Sequence, residues 1–306
     1  CALRPTWMWE VRWFVGNEPS RFISLVNLCS ISSNTVSIRE RCSATQLSPR
    51  MGASTINRAD ALMPHTEPTF APGRILVFNL LGALLVWSWL SPGLMFWTEL
   101  DDAVFFATNA WLTEDNETWV LFVAAVNNRL FDVVSLMILL AIYLWAISRD
   151  PDPTHRMLRW GGIGVTMLLT AVFIAQGFRM VVPYTHPSPT LVYDNVNLIT
   201  EMVDFSTKDS SGSSFPGDHG VNLFLFTAFM WRFAGLRVML VSAVFAVLLS
   251  APRILSGAHW FSDVFFAALM INLIVTPWIL LTPVAPGLSR AITAGLVKAR
   301  NALPSR

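Results

Sequence analysis

The chain has 306 residues, of which 54% are hydrophobic and only 13% charged, about half the charged share of a soluble domain, so a soluble enzyme is excluded. A formal net charge of +1 gives no ground for a nucleic-acid partner; in a chain this apolar, the placement of Lys and Arg carries the information. All three cysteines, Cys1, Cys29 and Cys42, fall in the first fifty residues, which leaves the apolar body without thiols for a disulfide, an iron–sulfur cluster or a zinc site.

Residues 1–50 are Ser-rich and Arg-dotted, with neither a long apolar run nor a helical period. They read as an extension ahead of a start at Met51 or Met63; the alternative is a processed lipoprotein with its lipid on Cys1, which would place the N-terminus outside. Residues 51–74 then form a cytoplasmic tail. The first span runs from Ile75 to Leu90, with Trp87, Trp89 and Trp97 as an aromatic belt, and no small-residue cleavage site follows it, so it is an uncleaved signal anchor. Ala103–Leu112 and Glu117–Val126 are apolar but polar-capped and are expected to lie on the outer surface as interfacial helices. Further spans are Leu130–Ile147, Trp160–Val182, Val238–Ala251 and Phe261–Leu281. Val221–Phe233 alone is short enough for a buried soluble helix; it counts as a span because His219 and Arg232 mark its ends and the charge pattern requires it. Pro72, Pro92, Pro151, Pro153, Pro283 and Pro286 punctuate the spans at their ends. The expected fold is an all-α membrane protein, a six-transmembrane-helix bundle over 75–283 with a basic cytoplasmic tail at 284–306.

Positive residues stay on the cytoplasmic side. Arg58 and Arg74 precede the first span, Arg149, Arg156 and Arg159 fill the second connection, Arg232 and Arg237 the fourth, and Arg290, Lys298, Arg300 and Arg306 follow the last. The stretch from Glu99 to Glu117 carries acids and no Lys or Arg, and Tyr184–Asp218 carries Lys208 alone against several acids. Both termini are therefore expected in the cytoplasm, with the two long connections outside.

The strongest chemical signal is Arg253-Ile-Leu-Ser-Gly-Ala-His259-Trp-Phe-Ser-Asp263. On a helix His259 and Asp263 share a face, so the carboxylate is expected to accept a hydrogen bond from one imidazole nitrogen and aim the other as a nucleophile. Ser256 and Gly257 let the chain turn, which brings Arg253 over His259, where its planar fork suits the oxygens of a transferring phosphoryl group. The plainer alternative is a helix-end histidine beside a structural ion pair. An Arg and an Asp at the edge of apolar spans would each cost about 3 kcal/mol facing lipid, so they face the bundle or an aqueous cavity.

A second signal is Ser214-Phe-Pro-Gly-Asp-His219-Gly220. Pro216 and Gly217 form a tight turn able to present backbone N–H groups to an anion at a helix start, with His219 placed as general acid; alternatively the segment is a helix cap supplied by Asp218. A third is Arg179 with His186-Pro187 where the third span leaves the membrane, and Lys208 beyond it. With Arg253 these groups could hold a diphosphate. Asn127, Asn128 and Arg129, at the outward end of the second span, read either as a grip on an acceptor phosphate or as a polar helix entry with Arg129 snorkelling.

These motifs resemble those of the type 2 phosphatidic acid phosphatase superfamily, Lys-x6-Arg-Pro, Pro-Ser-Gly-His and Ser-Arg-x5-His-x3-Asp. The third is matched by Arg253, His259 and Asp263 in full spacing, the second keeps Pro216 and His219 with a changed middle pair, and the first survives as Arg179-x6-His186-Pro187. The resemblance implies a six-helix bundle and a phosphohistidine mechanism without metal or cofactor, with His259 as nucleophile and His219 as acid. Asn127-Asn-Arg-Leu-Phe-Asp132, Ser188-Pro-Thr-Leu191, Thr207-Lys-Asp209, Phe229-Met-Trp-Arg232 and Gly257-Ala-His-Trp-Phe261 are similar to a transferase branch of that superfamily. Its members move a phosphoryl group from undecaprenyl diphosphate to the 1-phosphate of lipid A. This implies a bacterial inner membrane, a site on the periplasmic face, lipid partners and no protein partner. A hydrolase acting on undecaprenyl diphosphate or lipid A is the competing enzyme reading, and a non-enzymatic carrier of anionic lipid the competing class.

Overall fold

The computed structural model describes residues 70–302 except Pro92 and Pro183. The expected extension 1–50, both candidate start methionines, Arg58, Arg306 and most of the tail at 51–74 lie outside those residues. Among the described residues there is no strand; the regular elements are all helices.

In chain order the helices are α1 (Pro72–Leu90), α2 (Phe96–Asn109), α3 (Glu117–Val126), α4 (Arg129–Ser148), α5 (Arg156–Val181), the single turns α6 (Pro189–Val192) and α7 (Ile199–Met202), α8 (Asp218–Ala234) and α9 (Leu236–Leu255). A π-turn at Ser262–Phe266 then leads into α10 (Ala267–Ile274) and α11 (Thr276–Leu280), and α12 (Val284–Ala302) closes the chain. Five helical stretches, α1, α4, α5, α9 and Ser262–Leu280, are long and apolar enough to cross a membrane. Their outward faces are apolar without interruption: Leu76, Leu80, Leu84 and Trp87 on α1, Leu136, Leu140 and Leu144 on α4, and Leu168, Val172 and Phe173 on α5 are all exposed. In water that surface would be prohibitive; hydrocarbon is the solvent that accepts it.

The short helix, α8, has 17 residues and sits at the centre. Leu225, Phe226, Phe229 and Met230 are buried in a cluster with Val238 of α9, Ile174 of α5, Ile271 of α10 and Leu280 of α11.

Proline effects on the backbone are compensated locally. Pro277 cannot donate to the carbonyl of Leu273, and the Asn79 side chain of α1 fills the gap by donating to Leu273 O and Ile274 O, both at 3.1 Å. The same Asn79 accepts from the Trp278 indole at 2.8 Å, so one polar side chain ties α1 to the break in the last span.

The segment expected as a basic tail forms the helix α12 and packs on α5 through Ser289 and Thr293, both buried. The approach is close because Gly162 faces it: a Cβ there would stand 2.2 Å from Thr293 Oγ1 and 2.6 Å from the Ser289 carbonyl. Ala103–Leu112 and Glu117–Val126, expected as surface helices, appear as α2 over a shifted range and α3 over the expected one.

The helix directions gather one set of ends together. Asp132 opens α4, Arg179 closes α5, His219 opens α8, Arg253 closes α9 and Asp263 opens the last span. The arginines at the start of α1, the end of α4, the start of α5 and the end of α8 occupy the opposite ends, where Arg159 pairs with Asp150 and Arg232 donates to Leu280 O at 3.1 Å.

Candidate active site

The loop between α9 and the last span carries the nucleophile candidate. Gly257 takes φ +74° and lies so close to α6 that a Cβ would meet Thr190 Cγ2 at 2.7 Å and Phe105 Cε2 at 3.0 Å. Only glycine enters this conformation without strain, and the resulting turn folds the His259 amide back onto the Arg253 carbonyl at 3.0 Å. Arg253 and His259 are thus brought side by side, as expected from the spacing.

The tautomer of His259 is set differently from the expectation. Nδ1 lies 2.8 Å from the backbone carbonyl of Ser214; a carbonyl only accepts, so Nδ1 carries the hydrogen and Nε2 holds the free lone pair. Asp263, expected as this partner, instead meets His186 Nδ1 at 2.8 Å, the Ser214 hydroxyl, and the Trp260 amide at 3.3 Å. The physical reason is that His259 lies in the bend ahead of the last span, which starts only at Phe261, so the two residues do not share one helix and the i,i+4 face is never formed. Asp263 is fully buried, and it acts on His259 at one remove, by fixing the strand of chain whose Ser214 carbonyl holds the imidazole.

Burial pushes the pKa of His259 down to about 4, and the nearby Lys208 and Arg253 charges push the same way, against the opposing Asp263 charge and the Ser214 bond. The imidazole is therefore neutral near pH 7, which a nucleophile requires. Lys208 is lowered as well, by burial first and by Arg253 second. Lys208 and Arg253 thus act electrostatically on each other and on His259.

His219, from the start of α8, lies 3.1 Å from Asp132 Oδ1, and the same oxygen accepts from Arg253 Nη2 at 2.9 Å. Asp218 makes no cap bond at its helix start. The structure thus unites His259, Arg253, Lys208 and His219, joined by Asp132, a residue absent from the expected set. A signal for it exists in the sequence: it is a carboxylate three residues into an otherwise apolar span, a position where ionisable groups face the protein interior.

Other expected members are placed differently. His186 is buried against Asp263 and stacks on Trp260 with ring centroids 5.5 Å apart, so it is a structural partner of the carboxylate rather than a phosphate ligand. The Gly217 amide donates to Asp263 O at 2.8 Å and is spent there, because α8 approaches the π-turn closely. Asn128 caps α4 by accepting from Leu130 N at 2.9 Å and ties a loop by donating to Ser206 O at 2.6 Å; both polar atoms are in use. Arg129 is exposed, without hydrogen bond or ion pair to the described residues. Arg179 is also exposed, 3.8 Å from Asp218, and both line a small cavity between α5 and α8 with Ala175, Phe178, Pro216 and Asn222. No cluster of three or more His, Cys, Asp or Glu able to hold a metal occurs among the described residues.

A model of the PAP2 superfamily matches residues 160–284, the stretch that holds His219, Arg253, His259 and Asp263. The chain is also 37% identical over 215 residues to the lipid A 1-diphosphate synthase of Escherichia coli K12, covering 69% of this chain and 89% of that protein. The chain belongs to the PAP2 superfamily. It is a membrane enzyme of the lipid phosphatase and phosphotransferase kind. Among solved structures, a PAP2-type phosphatidylglycerolphosphate phosphatase from Bacillus subtilis aligns with 15% identity and a TM-score of 0.34, over 76% of this chain and 98% of its own. The PAP2 match omits the segment before residue 160, and with it Asp132, Asn127 and Asn128.

Proposed function

We propose that this PAP2 member transfers a phosphoryl group from undecaprenyl diphosphate to the 1-phosphate of lipid A. The observation that carries the reading is the 37% identity extending over 89% of the E. coli lipid A 1-diphosphate synthase. The bundle then has six spans, α8 included, with both termini in the cytoplasm and the site on the periplasmic face of the inner membrane, where α2 and α3 lie as interfacial helices. The arginines at the opposite helix ends support that orientation.

The site geometry supports a covalent route. His259 Nε2 attacks the terminal phosphorus of the donor; an N–P bond forms as the P–O bond to the bridging oxygen breaks, and undecaprenyl phosphate leaves. Arg253 and Lys208 offset the charge on the equatorial oxygens, and His219 delivers a proton to the departing oxygen. In the second half an oxygen of the acceptor phosphate attacks phosphorus, the N–P bond breaks, and the lipid diphosphate departs with the neutral imidazole restored.

Hydrolysis is the second reading, supported by exposure: the His219 and Asp132 side chains beside the site are 41% and 43% accessible, so water has access to the site unless the acceptor covers it. Purified protein incubated with undecaprenyl diphosphate labelled at the terminal phosphate, with and without lipid A, separates the two. Label on lipid A and on the protein, with both lost in His259→Ala, is the expected result; label released only as inorganic phosphate supports the hydrolase, and turnover surviving in His259→Ala would refute the covalent route. For orientation, a cysteine near Asp194 should react with an impermeant thiol reagent in intact cells and one near Pro153 should not; the reverse refutes the periplasmic site.

A further inference from the structure

The segment 127–132 lies outside the stretch matched to the PAP2 superfamily, yet it ties together the pieces that carry the chemistry. The Asn127 amide donates to Pro252 O at 2.8 Å and its oxygen accepts from Ser256 Oγ at 3.2 Å, clasping the turn between Arg253 and His259 on both sides. Asn128 holds Ser206, two residues from Lys208. Asp132, one turn into α4, places a single carboxylate oxygen against both Arg253 and His219.

We propose that Asp132 is a positioning residue of this active site, holding Arg253 and His219 in the arrangement that receives the phosphoryl group. The inference rests on the proposed phosphohistidine chemistry but not on the identity of the lipid.

Arg253 is 9% exposed. A guanidinium buried to that degree needs a partner of opposite charge, and without one it turns toward whatever acceptor it can find. Asp132 supplies the charge and, by engaging only Nη2, leaves the other guanidinium donors for the substrate. Its own side chain is 43% exposed, so it adds little to core packing and its contribution is directional. An acid in the first turn of a helix is also favoured by the helix dipole, but that accounts for neither partner. The other charged groups of the neighbourhood are Lys208, in the loop before α8, and Asp218, next to His219 at the start of α8.

One competing role is open to a carboxylate between two cationic groups: it could stand where a phosphoryl oxygen must go and compete with the substrate. Orthovanadate, a phosphate analogue that needs no lipid, separates the roles. The full chain in detergent is melted across a vanadate series as wild type, Asp132→Asn and Asp132→Glu. Positioning predicts that Asp132→Asn melts cooperatively without vanadate but needs about tenfold more vanadate for half-maximal protection, the scale of one charge-assisted hydrogen bond. Asp132→Glu, with the charge kept and its reach changed, falls between. Tighter vanadate binding in Asp132→Asn overturns the inference in favour of competition. An unchanged vanadate dependence, or a full loss of melting in both variants, overturns it in favour of an irrelevant or purely structural residue. Wild-type protein protected by vanadate yet unable to use undecaprenyl diphosphate refutes the substrate reading and leaves the inference standing; wild-type protein indifferent to vanadate refutes both.

Discussion

Replacing Asp263 with Ala tests whether this carboxylate acts on His259 directly or through the fold. Three hydrogen bonds end on it, from His186 Nδ1 at 2.8 Å, from the Ser214 hydroxyl, and from the Trp260 amide at 3.3 Å, and none reaches His259. The site is fully buried, so each lost bond costs roughly 1–3 kcal/mol, less for the long Trp260 contact, and the sum is about 3–6 kcal/mol. Against a total stability of roughly 5–15 kcal/mol, that is a large fraction. Asp263→Ala should therefore show a sharply lowered melting temperature in detergent. Such activity as remains should track the folded fraction more closely than it would if the nucleophile had lost its own partner. Ser214→Ala is the companion: it keeps the backbone carbonyl that holds His259 Nδ1 and loses one Asp263 bond, so its melting temperature should fall by less and its turnover per folded molecule should stay within about tenfold of wild type. Thermal melting combined with single-turnover phosphoryl transfer, normalised to folded protein, decides the matter. A variant Asp263→Ala that melts like wild type while losing transfer by a factor of a thousand would refute the indirect role and restore direct orientation of His259.

Asp101 offers a pH test away from the nucleophile. It accepts from Ser262 N at 2.7 Å and from Ser262 Oγ at 2.6 Å, capping the start of the last span. Burial raises its pKa to about 7, opposed by the Ser262 bonds and assisted by Asp263. A carboxyl raised in the folded state contributes most below its unfolded value near 4 and loses that contribution as pH rises to about 7, a swing of about 4 kcal/mol. Asp101→Asn keeps the bond from the Ser262 amide and reverses the other, its Nδ2 donating to Ser262 Oγ, without the ionisation, so its melting temperature relative to wild type should rise between pH 5 and pH 8; a constant difference would refute the ionisation argument. Arg129→Ala removes an exposed cation with no partner among the described residues at the start of α4. It should depress transfer to lipid A while slow phosphate release from undecaprenyl diphosphate persists, and equal loss of both reactions would argue against an acceptor role.

Sequence alone determined the helical membrane body and the chemical cast. Span positions follow from the length and continuity of apolar runs, a property of composition that hydrocarbon enforces without tertiary detail, and the observed helices match within a few residues except where α2 slides. The spacing of Arg253, His259 and Asp263 likewise singled out the candidate site, because phosphoryl transfer needs such groups close together. What the tertiary structure decided is who touches whom. The i,i+4 rule assigned Asp263 to His259 on the assumption that one helix carries both, but His259 lies in the bend before that helix starts. Gly217 presented an amide that the close approach of α8 had already consumed, and His186 was drawn into the interior by Asp263. Asp132 stands 121 residues from Arg253 and 87 from His219; no local periodicity connects them, and only the packing of α4, α8 and α9 brings one carboxylate oxygen to both.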